Sequence, residues 1–475
     1  MNKVLIAGAV ALTLSLATPV IAQTADSGTD LAAAQAQIEA LKQQMERLEA
    51  TVDYLKANTT AERKEAAKAA VDVSTLKTAS DKYTWSGDFR FRHELIDQAV
   101  DNISDSHTRQ RDRVRVRFGV LAKVNDTVNV KLQLSTVGEG NQSARSTNQT
   151  LGSTWDRKSV GFDQAYVEWR PDPMFDAVLG KMPIPWVTTP SYFWDKDLTP
   201  EGAVLKFTRG PLFANASYTS LGERNFAGNQ GASTDATMAE AQLGWKQSFG
   251  VNTLTLAATY NNINGVQNQI VKYSSTSIAP AGGGPVTTTT CTIDGAFGGG
   301  VGTGDNSFGN TTYTGPAPQV GSTTSCTRLL SDFNFWSVLL QWDTKLGSYP
   351  FTVFADYMKN NGAEVNPKVN KTLNDATAFG FMFNKASGAH TWELGAQYEQ
   401  NKKDGVFGQF VDSDFAGGST DGKGWALKGA YVLATNWTFN ATAFLNKLNN
   451  NGVPSTDSKH DLDYKRFQLD LNYKY

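Results

Sequence analysis

The sequence is poor in cysteine and histidine, and it has no long apolar run after its first residues. Only two of the 475 residues are cysteines, and the net charge of −2 gives no bulk attraction to nucleic acid. No apolar run after the N-terminal stretch is long enough for a membrane helix. We expect no metal or other cofactor, because the four histidines lie too far apart along the chain to form a ligand cluster: His93, His107, His390 and His460.

The last ten residues, Arg466–Tyr475, alternate strictly between polar and apolar side chains. This period of two predicts a β-strand with one apolar and one polar face. The same pattern would suit an amphipathic strand in a soluble sandwich. A final strand that ends on an aromatic residue favours a closed outer-membrane barrel, because such a strand must pair with the first and leave no edge in lipid.

The N-terminus predicts export and then a helix. Residues 1–22 have a lysine, an apolar core and small residues before a predicted cleavage site, as in a signal peptide. Residues 23–80 predict a periplasmic coiled coil, although a single amphipathic helix would explain the same pattern. The apolar positions are spaced alternately three and four residues apart: Leu31, Ala34, Ile38, Leu41, Met45, Leu48, Val52 and Leu55.

Residues 81–475 predict an all-β transmembrane antiparallel barrel of about sixteen strands. Short turns such as Pro171–Pro173 and Arg209–Pro211 alternate with long polar connections. This alternation is typical of outer-membrane barrels, whose turns are short at the periplasmic end and long outside. Aromatic residues at many strand ends suit the two membrane interfaces. Both chain ends of the wall then lie on the periplasmic side.

The arginines of the first two predicted strands stand at every second position, so they lie on one face of the wall, and we expect this face to point inward. They form a candidate pore lining of six guanidinium groups: Arg90, Arg92, Arg111, Arg113, Arg115 and Arg117. In a water-filled lumen they would be a ladder of permanent positive charge. Alternatively, they satisfy carboxylates such as Asp88 and Glu94 and stiffen the wall. The two interpretations are compatible.

A rigid, aromatic connection, Pro183–Gly202, predicts a constriction loop that folds into the lumen. Four prolines stiffen it, and its aromatic side chains are unusual for a loop in water. The alternative is an external loop at a subunit contact. The residues expected to act in the constriction are Trp186, Trp194, Asp195, Asp197 and Glu201. In the larger connection 261–327, Cys291 and Cys326 predict a disulfide, because an exported chain meets an oxidising compartment.

Five stretches of the chain resemble the putative porin family of Gram-negative outer membranes: Trp85–Arg92, Arg113–Gly119, Phe162–Trp169, Gly180–Trp186 and Trp194–Ala203. The resemblance covers the first third of the barrel. It implies an outer-membrane channel that is commonly trimeric. The helical prefix and the arginine-rich wall are also similar in layout to the phosphate-selective porins. The external loops lack their dense lysine clusters, and the final residue is Tyr475 where many porins end in phenylalanine.

We therefore expect a passive diffusion channel for small hydrophilic solutes and ions in the outer membrane. The expected partners are outer-membrane lipid and other copies of the chain, with a trimer favoured, and the coiled coil would hold barrels together or reach the cell wall. One alternative is an anion channel of phosphate type, and another is a structural tether. An enzyme is the least favoured, since His93, His107 and Ser104 do not suggest a catalytic triad.

Overall fold

A computed structural model of the chain describes residues 35–47, 49, 82–101, 106–137, 144–224, 235–278, 287–297, 305–316 and 325–475. The chain divides into two compact units, Met1–Asp81 and Lys82–Tyr475. The first unit contains a helix over residues 35–47, in which the heptad positions Ile38 and Met45 are exposed. A third heptad position, Leu41, is half-buried in this helix. The predicted signal peptide and the other heptad positions lie outside the described residues, so the coiled coil stays a prediction. None of the helices described here is both long and apolar enough to cross a bilayer.

The second unit is a closed antiparallel wall of sixteen strands, as predicted. In chain order these are β1 Tyr83–Ala99, β2 Ser106–Lys123, β3 Val128–Thr136, β4 Val160–Asp172, β5 Phe175–Lys181, β6 Glu201–Arg209, β7 Leu212–Gly222, β8 Ala236–Phe249, β9 Asn252–Asn264, β10 Phe333–Leu346, β11 Tyr349–Asn360, β12 Asp375–Asn384, β13 Trp392–Asn401, β14 Gly422–Ala434, β15 Trp437–Leu448 and β16 Leu462–Lys474. Each strand pairs with the next along the chain.

The wall closes between its last and first strands. β16 pairs with β15 on one side and with β1 on the other, where Phe91 is opposite Leu471 and Arg92 is opposite Asp470. No strand edge is therefore left unpaired in this ring, which a wall in lipid requires. The strand connections alternate between short turns and long loops, again as predicted.

The exposure of the side chains of β16 shows which face of the wall is on the outside. Phe467 and Leu469 are 45% and 46% exposed on the outside, whereas Gln468 and Asp470 are 3% and 6% exposed on the inside. A soluble protein would bury the apolar face, so this inverted arrangement fits a wall in hydrocarbon. Aromatic rings pair near the strand ends on the outer surface, as in Trp437 and Tyr473, whose ring centroids are 4.9 Å apart.

Long connections fill part of the space inside the wall. Phe193 and Phe407 come from two of these connections and pack in one cluster with the inward side chains Met238, Phe335 and Met358. All five are almost completely buried. The lumen is thus narrowed on the side of β8 to β12, and the arginines of β1 and β2 lie on the other side.

Two hairpins and a disulfide organise the β9–β10 connection. The hairpins pair Ser274–Ile278 with Thr287–Cys291 and Thr312–Pro316 with Ser325–Leu329. A disulfide between Cys291 and Cys326 joins them, with the two Cα atoms 5.7 Å apart. Further short elements in the connections are Gln149–Thr150, Gly295–Phe297, Val365–Asn366, Lys371–Thr372 and Phe415–Gly418.

Candidate pore lining and constriction

The six predicted arginines lie on the inner face of β1 and β2, and the strand register places like charges side by side. Arg90 is opposite Arg115, and Arg92 is opposite Arg113. Such cross-strand pairs of like charge are destabilising by themselves. The wall therefore needs carboxylates close to these guanidinium groups, and the structure supplies them from β1, β4, β16 and two connections.

Arg92 is held by three carboxylates, of which Glu94 is the most distant at 3.5 Å. Its Nε and NH2 atoms donate to the two oxygens of Asp470 on β16, at 2.6 Å and 2.8 Å, which is the two-point geometry that arginine favours. Its NH1 atom donates to Asp414, in the β13–β14 connection, at 2.8 Å. Asp470 lies beside Arg92 only because the last strand, β16, pairs with the first strand, β1, when the wall closes.

Glu94 is a second point where several guanidinium groups meet. Its side chain is completely buried and lies 2.5 Å from Arg111 and 2.7 Å from Arg466 on β16. Arg113 lies 3.8 Å away. A buried carboxylate is stable only when paired and hydrogen-bonded, and Gln468 also donates to Glu94.

The remaining arginines form a group closer to the short-turn end. Arg115 donates to Asp88 at 2.8 Å, and Arg117 donates to Asp197 at 2.6 Å. Arg90 donates to the side-chain oxygen of Asn148, at 2.6 Å. Each predicted pore-lining arginine therefore has a defined partner, so the carboxylate-paired arrangement is the one found in the structure.

Charge is nearly balanced across the whole cluster. Among the described residues, ion pairs connect seven guanidinium groups with six carboxylates. The guanidinium groups are Arg90, Arg92, Arg111, Arg113, Arg115, Arg117 and Arg466; the carboxylates are Asp88, Glu94, Asp163, Asp197, Asp414 and Asp470. We call these thirteen residues the charged wall.

The predicted constriction segment lies inside the barrel and touches several strands. The backbone amide of Val187 donates to Gln242 on β8, at 2.9 Å. The hydroxyls of Thr189 and Ser191 donate to Asp356 on β11. The amide of Tyr192 donates to Glu399 on β13, at 2.8 Å. These acceptors face inward, so the segment runs along the inner face of the wall before it reaches Arg117 on β2.

The five residues predicted for the constriction have different surroundings. Trp186 and Trp194 are buried and pack edge to face, with ring centroids 5.0 Å apart. Asp197 joins the charged wall through Arg117. Asp195 instead accepts hydrogen bonds from the backbone amides of Asp197 and Ser413, each at 2.8 Å.

Glu201 does not belong to the segment, because β6 begins at this residue. Its side chain is largely exposed and lies 2.8 Å from Lys181. Side chains alternate between the two faces of a strand, so Glu201 points outward, as Leu205 does four residues later. Glu201 therefore cannot face the charged wall. Of the three carboxylates predicted for the constriction, Asp197 forms an ion pair with an arginine of the wall, whereas Asp195 and Glu201 have other partners.

Burial and neighbouring charges give the two aspartates of the segment opposite titration behaviour. Burial, followed by repulsion from Asp412 and Asp197, raises the pKa of Asp195 well above its ordinary value. Burial also acts to raise the pKa of Asp197, but Arg117, Arg115 and Arg90 outweigh it and lower that pKa to about 2. Asp197 is therefore a permanent anion in the lumen at neutral pH.

Sequence reasoning missed the β13–β14 connection, residues 402–421. Asp414 in this connection pairs with Arg92 and Arg466, and Phe410 stacks on Trp194 with ring centroids 5.0 Å apart. One signal could have revealed it. The spacing of Asp412 and Asp414 repeats that of Asp195 and Asp197, and aromatic residues lie close to both pairs.

No group of three or more histidine, cysteine or acidic side chains within the described residues is arranged to hold a metal ion. The acidic side chains of the charged wall are instead occupied by guanidinium groups. The chemistry available here is electrostatic: fixed charges of both signs that face a narrowed lumen.

Comparison with known proteins identifies the family. The family described as "Putative porin" matches residues 96–475, while no curated protein matches the chain. Among solved structures, the chain is similar to OprB of Pseudomonas putida, with 10% identity, coverage of 84% of this chain and 96% of the other, and a TM-score of 0.49.

Two further solved structures match the chain with lower TM-scores. The trimer form of OmpT of Vibrio cholerae shares 14% identity, with coverage of 83% of this chain and all of the other and a TM-score of 0.42. A triple mutant of the Rhodopseudomonas blastica porin shares 9% identity at the same coverages, with a TM-score of 0.41. The family match spans most of the chain and the wall is closed: this chain is an outer-membrane porin that belongs to the putative porin family of Gram-negative bacteria.

Proposed function

We propose that this porin is a passive diffusion channel for small hydrophilic solutes and ions, with only weak preference for the sign of their charge. The observation that carries this proposal is the near balance of the charged wall, seven guanidinium groups against six carboxylates. A ladder of unpaired arginines would favour anions strongly, whereas paired charges leave a small net potential.

In this proposal, the width of the lumen and the electric field of the charged wall determine which solutes pass. Segment Pro183–Gly202 and the packed connections reduce the cross-section, which limits solute size. The alternating guanidinium and carboxylate groups orient dipolar solutes and disfavour bulky apolar ones. Transport follows the concentration gradient, with no catalytic step and no cofactor.

The proposal is tested with purified mature protein in a planar lipid bilayer, under a KCl gradient. We expect stepwise conductance and a reversal potential close to zero. A strongly anion-selective current, reduced by Arg113→Ala and Arg115→Ala, would instead establish the phosphate-type alternative. If folded protein gives no conductance steps, the diffusion function is wrong and the structural tether becomes the better explanation.

The N-terminal region supports a homo-oligomer. The apolar heptad from Leu31 to Leu55 would pair with copies of itself, and the exposed Ile38 and Met45 on the helix 35–47 fit such pairing. We propose a trimer in which residues 23–80 form a periplasmic coiled coil that holds barrels together or contacts the cell wall. Removal of residues 23–80 should reduce the number of chains in the detergent-solubilised particle, as measured by light scattering; an unchanged number of chains would exclude this role.

A further inference from the structure

We propose that Asp414, together with the connection 402–421 that carries it, is a second selectivity element of the channel beside segment Pro183–Gly202. This inference rests on the proposed diffusion function, because it names the residue that sets the ion preference of that pathway. It assigns the role to a connection that is more than 200 residues away from the first segment in sequence.

Asp414 joins the two strands at which the wall closes. One carboxylate oxygen lies 2.8 Å from NH1 of Arg92 on β1, and the other lies 2.7 Å from NH2 of Arg466 on β16. Both arginines are at most 6% exposed. The carboxylates of the neighbouring strands are shared, because Asp470 also lies 3.9 Å from Arg90 and Glu94 pairs with Arg466 as well as Arg111. Asp414 therefore supplies a further negative charge to Arg92 and Arg466.

The position of Asp414 is fixed by its own turn. The backbone amides of Asp414 and Phe415 both donate to the carboxylate of Asp412, at 2.8 Å and 3.1 Å. The Phe415 ring packs on Tyr192, with centroids 5.3 Å apart. A folded turn therefore holds Asp414 in one position against the charged wall. A group that sets selectivity needs such a fixed position.

The connection 402–421 is also bound directly to the first segment. The amide of Asp195 donates to the carbonyl of Phe410 at 2.7 Å, and the amide of Asp412 donates to the carbonyl of Tyr192 at 3.0 Å. The Ser413 amide donates to the carboxylate of Asp195. These backbone bonds and the stacking of Phe410 on Trp194 make the two connections one double-stranded strap inside the barrel.

A third connection holds the strap from the other side. Arg145, in the β3–β4 connection, donates through NH1 to the carbonyls of Gly408, Val411 and Gly418, at 3.2 Å, 3.2 Å and 2.7 Å. Its guanidinium group also lies 3.6 Å from the ring centroid of Phe308. The strap is therefore anchored at several points, and loss of the Asp414 charge alone should leave its path unchanged.

Removal of the Asp414 charge should shift the channel toward anions. The substitution Asp414→Asn leaves seven guanidinium groups against five carboxylates while it preserves the shape of the side chain. One unit charge about 4 Å from a permeating ion changes its occupancy by about fivefold in water. Potassium loses and chloride gains about this factor, so we expect the ratio of potassium to chloride permeability to fall by up to about 25-fold.

The experiment measures the reversal potential of single channels in a KCl gradient for four proteins beside the wild type. Asp414→Asn is the test, and Asp457→Asn, an exposed aspartate of the β15–β16 connection, removes the same charge away from the wall. The double variant Asp414→Asn, Arg466→Gln removes one charge of each sign. Phe410→Ala loosens the strap without a change of charge. Heat-modifiable gel mobility reports the folding of each protein.

We expect an anion shift in Asp414→Asn alone, a return toward wild type in the double variant, and a larger conductance with unchanged selectivity in Phe410→Ala. Equal selectivity of Asp414→Asn and Asp457→Asn would overturn the inference and leave the diffusion function intact. If Asp414→Asn does not fold, unchanged conductance in Phe410→Ala would reject the connection as part of the constriction. Failure of the wild type to form channels would reject the proposed function itself.

Discussion

The guanidinium group of Arg117 on β2 and the carboxylate of Asp197 in the β5–β6 connection lie 2.6 Å apart, although 80 residues separate them in sequence. Asp197 also accepts hydrogen bonds from the backbone and the hydroxyl of Thr147, each at 3.0 Å. This contact ties the segment inside the barrel to the arginine side of the wall. It also brings a further negative charge to the arginines of β2.

Loss of the ion pair between Arg117 and Asp197 should leave segment Pro183–Gly202 less firmly held against the wall. In Asp197→Asn the neutral amide retains part of the hydrogen bonding, but Arg117 keeps only the more distant Asp163 and Asp88. Breaking a partly buried pair should lower the free energy of unfolding by about 2–3 kcal/mol. We expect noisier open-channel current and a shift toward chloride, measured in bilayers, with lower thermal stability on gels. A variant with wild-type noise and selectivity would contradict this role.

The pH dependence of the contact has a definite sign. The pKa of Asp197 is lowered to about 2, below the ordinary value near 4 for an aspartate. The ionised group therefore contributes stability that is fully present above about pH 4 and is lost as the pH falls through 2. We expect the conductance to change as the pH falls below about 3. In Asp197→Asn this acid transition should be absent; its persistence would assign the transition to another group.

Glu94 should be the most sensitive carboxylate of the charged wall. It is completely buried between Arg111 and Arg466, so Glu94→Gln removes an anion that these two guanidinium groups share in the interior. Removal of one partner of a buried ion pair typically costs about 3–5 kcal/mol. The measurement is unfolding in guanidinium chloride, followed by tryptophan fluorescence. Glu201→Gln is the matched control, since this exposed glutamate pairs with Lys181 at the surface and should change stability by less than about 1 kcal/mol.

The wall was predictable from the sequence because strand periodicity is a local signal. The alternation in Arg466–Tyr475 and the position of the short turns give the number of strands and the inward parity of Arg92 and Arg113. The balance of charge was not predictable in the same way. Asp414 is 322 residues from Arg92 in sequence, and its approach depends on how the connection 402–421 packs against segment Pro183–Gly202. Glu201 illustrates the same limit, since a strand that begins earlier than predicted turns this residue outward.

The outward face of β16 allows a direct test of which surface meets lipid. Leu469 lies in the middle of the strand, is 46% exposed and belongs to the apolar parity, so Leu469→Arg should place a charge in hydrocarbon. Such a substitution at the bilayer midplane costs about 2–4 kcal/mol, whereas the cost near an interface is about 0–1 kcal/mol. Tyr473→Arg, at the short-turn end of the same face, is therefore the matched control. The comparison uses folding into lipid vesicles of both variants. Equal stability of the two would mean that the apolar face of β16 does not span the hydrocarbon, and the inward assignment of Arg466 and Asp470 would lose its physical basis.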